Sequence, residues 1–145
     1  NEYGIKVDVS LFLPELPNLQ PHIIHFNHNN KALMRIPYFF EDDIEMYNPH
    51  KCWDFFHPKY HVHGLKIFDF HPTYIYLNSD TMHNYQEMKK IAPLYSMDKE
   101  TVERFINKDI AGTKNLFNQF CDFIANDQGD SYTISEIAGL WMEKR

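Results

Sequence analysis

The run Leu65 to Asn78, LKIFDFHPTYIYLN, constrains this chain more than any other stretch, because apolar residues crowd it and a His-Pro pair interrupts it. Read as extended chain, its side chains alternate, so Phe68 and Phe70 point one way while Ile67, Asp69 and His71 point the other. Such a strand belongs in an α/β layer, with polar groups gathered at its carboxyl end, and Pro72 stops ladder pairing directly after the histidine. Two further runs read the same way. Tyr3 to Phe12 (YGIKVDVSLF) sets Ile5, Val7, Val9 and Leu11 against Lys6, Asp8 and Ser10. Lys31 to Asp43 (KALMRIPYFFEDD) is a second long strand that ends in three acids and that Pro37 would interrupt or confine to a sheet edge. A short strand is expected near Ile23 to Phe26, and Asn48 to His63 reads as a long loop of the kind that often carries function.

After Asn78 the period changes from two to 3.6. Ser79 or Asp80 can cap a helix bearing Met82, Tyr85, Met88 and Ile91, which Pro93 follows. Asp98 can cap a second with Val102, Phe105, Ile106 and Ile110. Gly112 and Thr113 precede a third with Leu116, Phe117, Phe120, Phe123 and Ile124 on one stripe. Thr133 and Glu136 form a capping box for a last helix with Ile137, Leu140 and Trp141. The fold class is therefore α/β, with about three long strands followed by a helical carboxyl-terminal half, in one domain spanning residues 1–145. Three strands cannot close a barrel, and a complete eight-unit barrel needs roughly 200 residues or more, so the chain supplies at most part of one.

Nucleic acid is excluded as a partner: the net charge is −6, and phosphate binding needs clustered Lys and Arg. No apolar run reaches the roughly 18 residues of a spanning helix. The two cysteines, Cys52 and Cys121, stand far apart in unrelated settings, so buried free thiols in a reducing, cytoplasmic compartment are expected. The sequence opens at Asn1 without an initiator methionine, so an amino-terminal portion is expected to have been cut away.

Three clusters carry the chemistry. Glu41 and Asp43 share a strand face with Arg35, and crowded carboxylates either raise a pKa or recruit a cation; a solvated, helix-capping loop accounts for them equally well. Asp69 lies two residues before His71 on the same face, where a carboxylate can hold the tautomer of an imidazole acting as general acid. His61 and His63, with His57 upstream, have the spacing of a metal half-site. His22, His25 and His28 recur every three residues but stand in an Asn-rich stretch that does not align them. No Gly-x-Ser-x-Gly elbow and no phosphate-cradling glycine loop is present.

Tyr3-Gly4-Ile5-Lys6-Val7-Asp8, Arg35-Ile36-Pro37-Tyr38 with Phe39-Phe40-Glu41-Asp42-Asp43, and Phe68-Asp69-Phe70-His71-Pro72 with Ile75-Tyr76-Leu77-Asn78 together resemble the later part of polysaccharide-deacetylase-like (NodB-type) proteins, in a divergent branch encoded with bacterial surface-polysaccharide genes. The resemblance implies part of a distorted (β/α) barrel, the carboxyl-terminal portion of a larger domain. It also implies hydrolysis of acetyl groups on sugars with a divalent metal, zinc foremost, an aspartate base and a histidine acid. His71 resembles the acid, Arg35 with Pro37 and Tyr38 resembles the arginine-proline motif that shapes the groove, and Asp8 is a further catalytic candidate expected to line it. Tyr38, Glu41, Asp43, Asp69 and Trp53 are then substrate-binding candidates, and His57, His61 and His63 the metal candidates. The early Asp-Asp pair and His-x-x-x-His motif of that family are absent from their expected place. Two rival readings remain: a non-catalytic remnant that binds glycan or protein through Trp53, Phe55, Phe56 and Tyr60, and an unrelated small metallohydrolase built on His57, His61 and His63.

Overall fold

A computed structural model describes residues 5–26, 31–126 and 130–143. Tyr3, Gly4 and His28, named above, lie outside the described residues. The chain divides into two units, Asn1–Phe40 with Val62–Phe68 and Gly129–Arg145, and Glu41–His61 with Asp69–Gln128.

In the first unit, β1 (Val7–Asp8), β2 (His22–Phe26) and β3 (Lys31–Arg35) form a sheet in the order β1-β3-β2. β1 runs parallel to β3 with Asp8 opposite Arg35, and β2 runs antiparallel with Ile23 opposite Met34. Beyond it Phe12 bridges to Tyr38, and their rings stack at 4.9 Å. Met34, Ile36 and Ala138 are buried at the core, with Val7, Val9, Ile23, Leu65, Ile67, Ile134, Ile137 and Trp141 packed around them. Ala138 and its neighbours come from the last helix, α6 (Ile134–Glu143). Its start is fixed by the expected capping box: Glu136 N–H donates to Thr133 Oγ1 at 3.2 Å, and Thr133 N–H donates to Glu136 Oε2 at 2.7 Å.

β4 (Phe40–Glu41) and β5 (Phe68–Asp69) pair as a two-stranded ladder. The second unit holds the α-helices α1 (Asp42–Glu45), α2 (Pro72–Leu77), α3 (His83–Ile91), α4 (Lys99–Glu103) and α5 (Thr113–Ala125). The stripe on α5 packs inward as its periodicity predicts: Leu116 is fully buried, Phe120 and Phe123 lie edge-on to Phe55, and Phe117 lies edge-on to Phe70.

The strands are shorter than expected, two to five residues each among the described residues. The Leu65 to Asn78 run forms a strand only at β5, and Pro72, with φ already fixed near helical values and no N–H to donate, starts α2 at its first position. Lys31 to Asp43 divides at Pro37, and its acidic end is helical. The Asp98-capped helix ends at Glu103, not Ile110; beyond it Asn107 N–H donates to Leu77 O, and the Asn107 side chain donates to Asn78 O and Ile110 O, which draws the chain out of helix. Ser79 and Asp80 do not cap α3; the position before it is Met82. Of the cysteines, Cys52 is half-buried and Cys121 exposed, so neither is the fully buried thiol expected.

Candidate functional site

The turn from β4 into α1 governs the chemistry of the second unit. Glu41 is extended (φ −141°, ψ 126°), and helical geometry begins at the next residue, so Glu41, Asp42 and Asp43 no longer alternate as strand residues would. Asp42 points inward and is fully buried. Both its oxygens are used by one residue: Oδ1 accepts from the Nδ1–H of His71 at 2.6 Å and Oδ2 from the His71 backbone N–H at 2.9 Å. His71 caps α2 with extended backbone (φ −92°, ψ 122°), which leaves its N–H free to meet the carboxylate.

This pair is electrostatically distinctive. Burial pushes the Asp42 carboxyl above its ordinary 3.8, against the hydrogen bonds and charge of His71, which pull it down. Burial alone would lower the His71 imidazole, but the hydrogen bond and charge of Asp42, with the charges of Asp43 and Asp69, together outweigh it and raise the imidazole above 6.5. With Nδ1 committed to Asp42, Nε2 is the nitrogen left for chemistry, and the side chain remains 42% exposed. Tyr74, one turn into α2, lays its ring 5.1 Å from that of His71 and meets Tyr85 edge-on at 5.0 Å. Its hydroxyl is pushed up to about 12 by burial, then by Tyr85 and the nearby carboxylates, so it stays protonated at every physiological pH.

One ligand atom each from Glu41, Asp43 and His71 lies within 4.8 Å of the others. Asp43 Oδ1 is buried and has no hydrogen-bond partner among the described residues, a state that costs free energy unless a cation or proton compensates it. Two carboxylates and an imidazole are a donor set that zinc and related divalent ions accept. Behind them, buried Glu45 accepts from Lys59 Nζ at 2.6 Å, Cys52 N–H at 2.6 Å and Asn48 Nδ2 at 3.3 Å, tying the long loop to α1.

Asp8 and Arg35 meet within the first unit. Their opposite registers on β1 and β3 let Arg35 Nε donate to Asp8 Oδ2 at 2.6 Å. A hydrogen bond from Ser10, followed by those of Arg35, outweighs the effect of burial and holds the Asp8 carboxyl below 3.8. Tyr38 is half-buried against Phe12.

The remaining candidates have other surroundings. His57 Nδ1 accepts from Lys59 N–H at 3.3 Å, His61 Nε2 bonds the Phe55 carbonyl at 2.8 Å and His63 Nδ1 bonds Asn18 Oδ1 at 3.1 Å. Among the described residues the three-ligand cluster is Glu41, Asp43 and His71 instead. Trp53, Phe55 and Tyr60 are buried, and Phe55 packs against Tyr60, Phe120 and Phe123; of the four loop aromatics only Phe56, 57% exposed, could offer a face to a partner. Asp69 is exposed and acts on His71 through its charge. The residue that sequence reasoning passed over is Asp42, because strict alternation turned it away from Glu41 and Asp43. The signal available was three acids in succession, of which alternation turns Asp42 to the face opposite Glu41 and Asp43.

The profile of a family described as WbmS-like polysaccharide deacetylase matches residues 1–89. No curated protein matches the sequence. The fold is similar to a crystal structure at 1.90 Å from Bordetella bronchiseptica, described as a candidate polysaccharide deacetylase involved in O-antigen biosynthesis (WbmS), with a TM-score of 0.65 and 21% identity over 82% of this chain and 46% of that one. The chain thus spans less than half the length of that relative. No helix of the described residues is long and apolar enough to cross a membrane.

Proposed function

Because the chain belongs to the WbmS-like family of polysaccharide deacetylases, we propose that it is a hydrolase that removes acetyl groups from sugars of a surface polysaccharide, with His71 as general acid. The observation that carries this reading is the buried Asp42 bound to both the ring and the backbone of His71. Asp42 fixes the tautomer, leaving Nε2 to carry the mobile proton, and its charge favours the imidazolium that an acid needs at neutral pH. In this role His71 donates a proton to the departing amine or alcohol oxygen of the sugar. Tyr74 limits rotation of the ring, and the exposed side of His71 admits substrate.

Asp8 is proposed to act within the first unit, as a binding group. Held ionised by Ser10 and Arg35, it is a weak proton acceptor but a well-oriented hydrogen-bond acceptor. Glu41 and Asp43 fit a divalent cation, given their proximity and the unpartnered Asp43 Oδ1. Such an ion, when bound, polarises an acetyl carbonyl and lowers the pKa of water. The same proximity favours a second reading in which His71 Nε2 completes the ligand set. One nitrogen cannot both ligate and donate, so the two readings differ in whether His71→Ala abolishes zinc binding.

The function is tested by acetate release from an acetylated oligosaccharide with zinc present. His71→Gln should lower the rate by about 10²–10⁴-fold, the usual contribution of a positioned acid. An unchanged rate in that variant would overturn the assignment.

A further inference from the structure

α2 has a second face beside the acid. Pro72, Ile75 and Tyr76 follow i, i+3, i+4 spacing and so share a side of the helix, whereas Tyr74 and Leu77 are buried. With Ile106 and Lys114 they line a cavity of about 360 Å³, within the roughly 300–1,000 Å³ of small-ligand pockets. None of the five belongs to the His71–Asp42 pair or to the Glu41–Asp43 cluster. The cavity nonetheless begins at Pro72, bonded directly to His71, and at 1.5 Å of rise per residue Tyr76 lies roughly 6 Å further along the axis.

The chemistry of its wall is asymmetric. Tyr76 is 45% exposed and, with Ile75 and Ile106, offers the apolar surface on which the C–H face of a sugar ring packs. Lys114 is exposed and makes no hydrogen bond or ion pair among the described residues, and it is the one cation of the lining. The hydroxyls of a neutral sugar can accept from that ammonium, but only a carboxylate also matches its charge. A chain of net charge −6 repels polyanions at long range, so an acidic ligand needs a local cation of this kind.

We propose that this cavity is a subsite for a carboxylate-bearing sugar residue, next to the acetylated residue that His71 serves. The inference rests on the deacetylase reading and adds the substrate class: a polysaccharide containing acidic sugars. Calorimetric titration of the full chain with a galacturonate trisaccharide and with the matched galactose trisaccharide tests it. The acidic probe is expected to bind about two- to fivefold more tightly, the difference an exposed charge pair supplies. That preference should vanish in Lys114→Gln and shrink in about 0.5 M salt, while Tyr76→Ala weakens both probes alike. Equal affinities in the unmodified chain, or a preference that survives Lys114→Gln, would overturn the subsite. Inorganic phosphate competing as well as galacturonate would overturn the sugar class. His71→Gln separates the two readings, since the preference should persist in it after acetate release is lost. A preference in a chain that releases no acetate leaves the subsite standing and removes the deacetylase reading.

Discussion

Asp42→Asn keeps the volume of the side chain and removes its charge. In the native pair both oxygens accept hydrogen bonds from His71, at 2.6 and 2.9 Å, in a fully buried setting. Asparagine supplies one acceptor and one NH₂ group, so either the backbone N–H or the ring Nδ1–H of His71 faces a donor. Losing a hydrogen bond to a charged partner in such a place costs about 1.5–3 kcal/mol. The loss depends on pH. The folded pKa of His71 lies above 6.5, so its stabilisation is full below the unfolded value and disappears as pH rises through the raised one. The folded pKa of Asp42 lies above 3.8, so it too favours the folded state only at low pH and loses that contribution as pH rises through its own raised value. In the variant the Asp42 contribution is gone, and burial, no longer opposed by the carboxylate, draws His71 down. Imidazole titration by NMR with urea unfolding at about pH 6 and about pH 9 measures both effects. His71 should titrate at lower pH in the variant, and the stability deficit should be larger at the lower pH. Identical titration in both proteins, or an equal deficit at the two pH values, would refute the reasoning.

A Cβ on Gly112 would stand 2.2 Å from the Asn78 carbonyl oxygen, so Gly112→Ala should destabilise by about 1–3 kcal/mol or more in urea unfolding, whereas Gly139→Ala, on α6 with open space around it, should stabilise by about 0.5–1 kcal/mol. Thr133→Ala removes the cap of α6 and should cost about 0.5–2 kcal/mol by the same measurement, with no change in acetate release. Glu41→Gln and Asp43→Asn should each weaken zinc binding in calorimetry, and Asp43→Asn should raise thermal stability without metal by removing a negative charge that acts on Asp42; undiminished zinc binding in both would remove the cluster as a metal site.

Features set by local chemistry were legible in the sequence. The capping box at Thr133 and Glu136, the Asp98 cap, the apolar stripe of α5 and the interruption at Pro37 each follow from a few neighbouring residues. The failures arose where two local rules competed. At His71-Pro72 the proline reads as the end of the strand, and its equal fitness for the first position of a helix, which starts α2 there, goes unread. At Glu41 to Asp43 alternation held only to Glu41, after which the helical turn brought Asp42 inward to His71, 29 residues away in sequence. Arg35 was expected beside Glu41 and Asp43 on one strand; its carboxylate partner is Asp8, reached through the parallel register of β1 and β3. Trp53 is a substrate candidate because aromatic faces in a long loop suit sugar stacking, and its burial comes from tertiary packing that no local pattern encodes.

The central claim, that His71 is the acid and Asp42 sets its proton affinity, is tested most directly by the pH dependence of acetate release from an acetylated oligosaccharide in the unmodified chain and in Asp42→Asn. The rate should fall on an alkaline limb that lies above the ordinary imidazole value of 6.5 and moves to lower pH in the variant. An alkaline limb at the same pH in both proteins, or no acetate release from the unmodified chain at any pH, would contradict it.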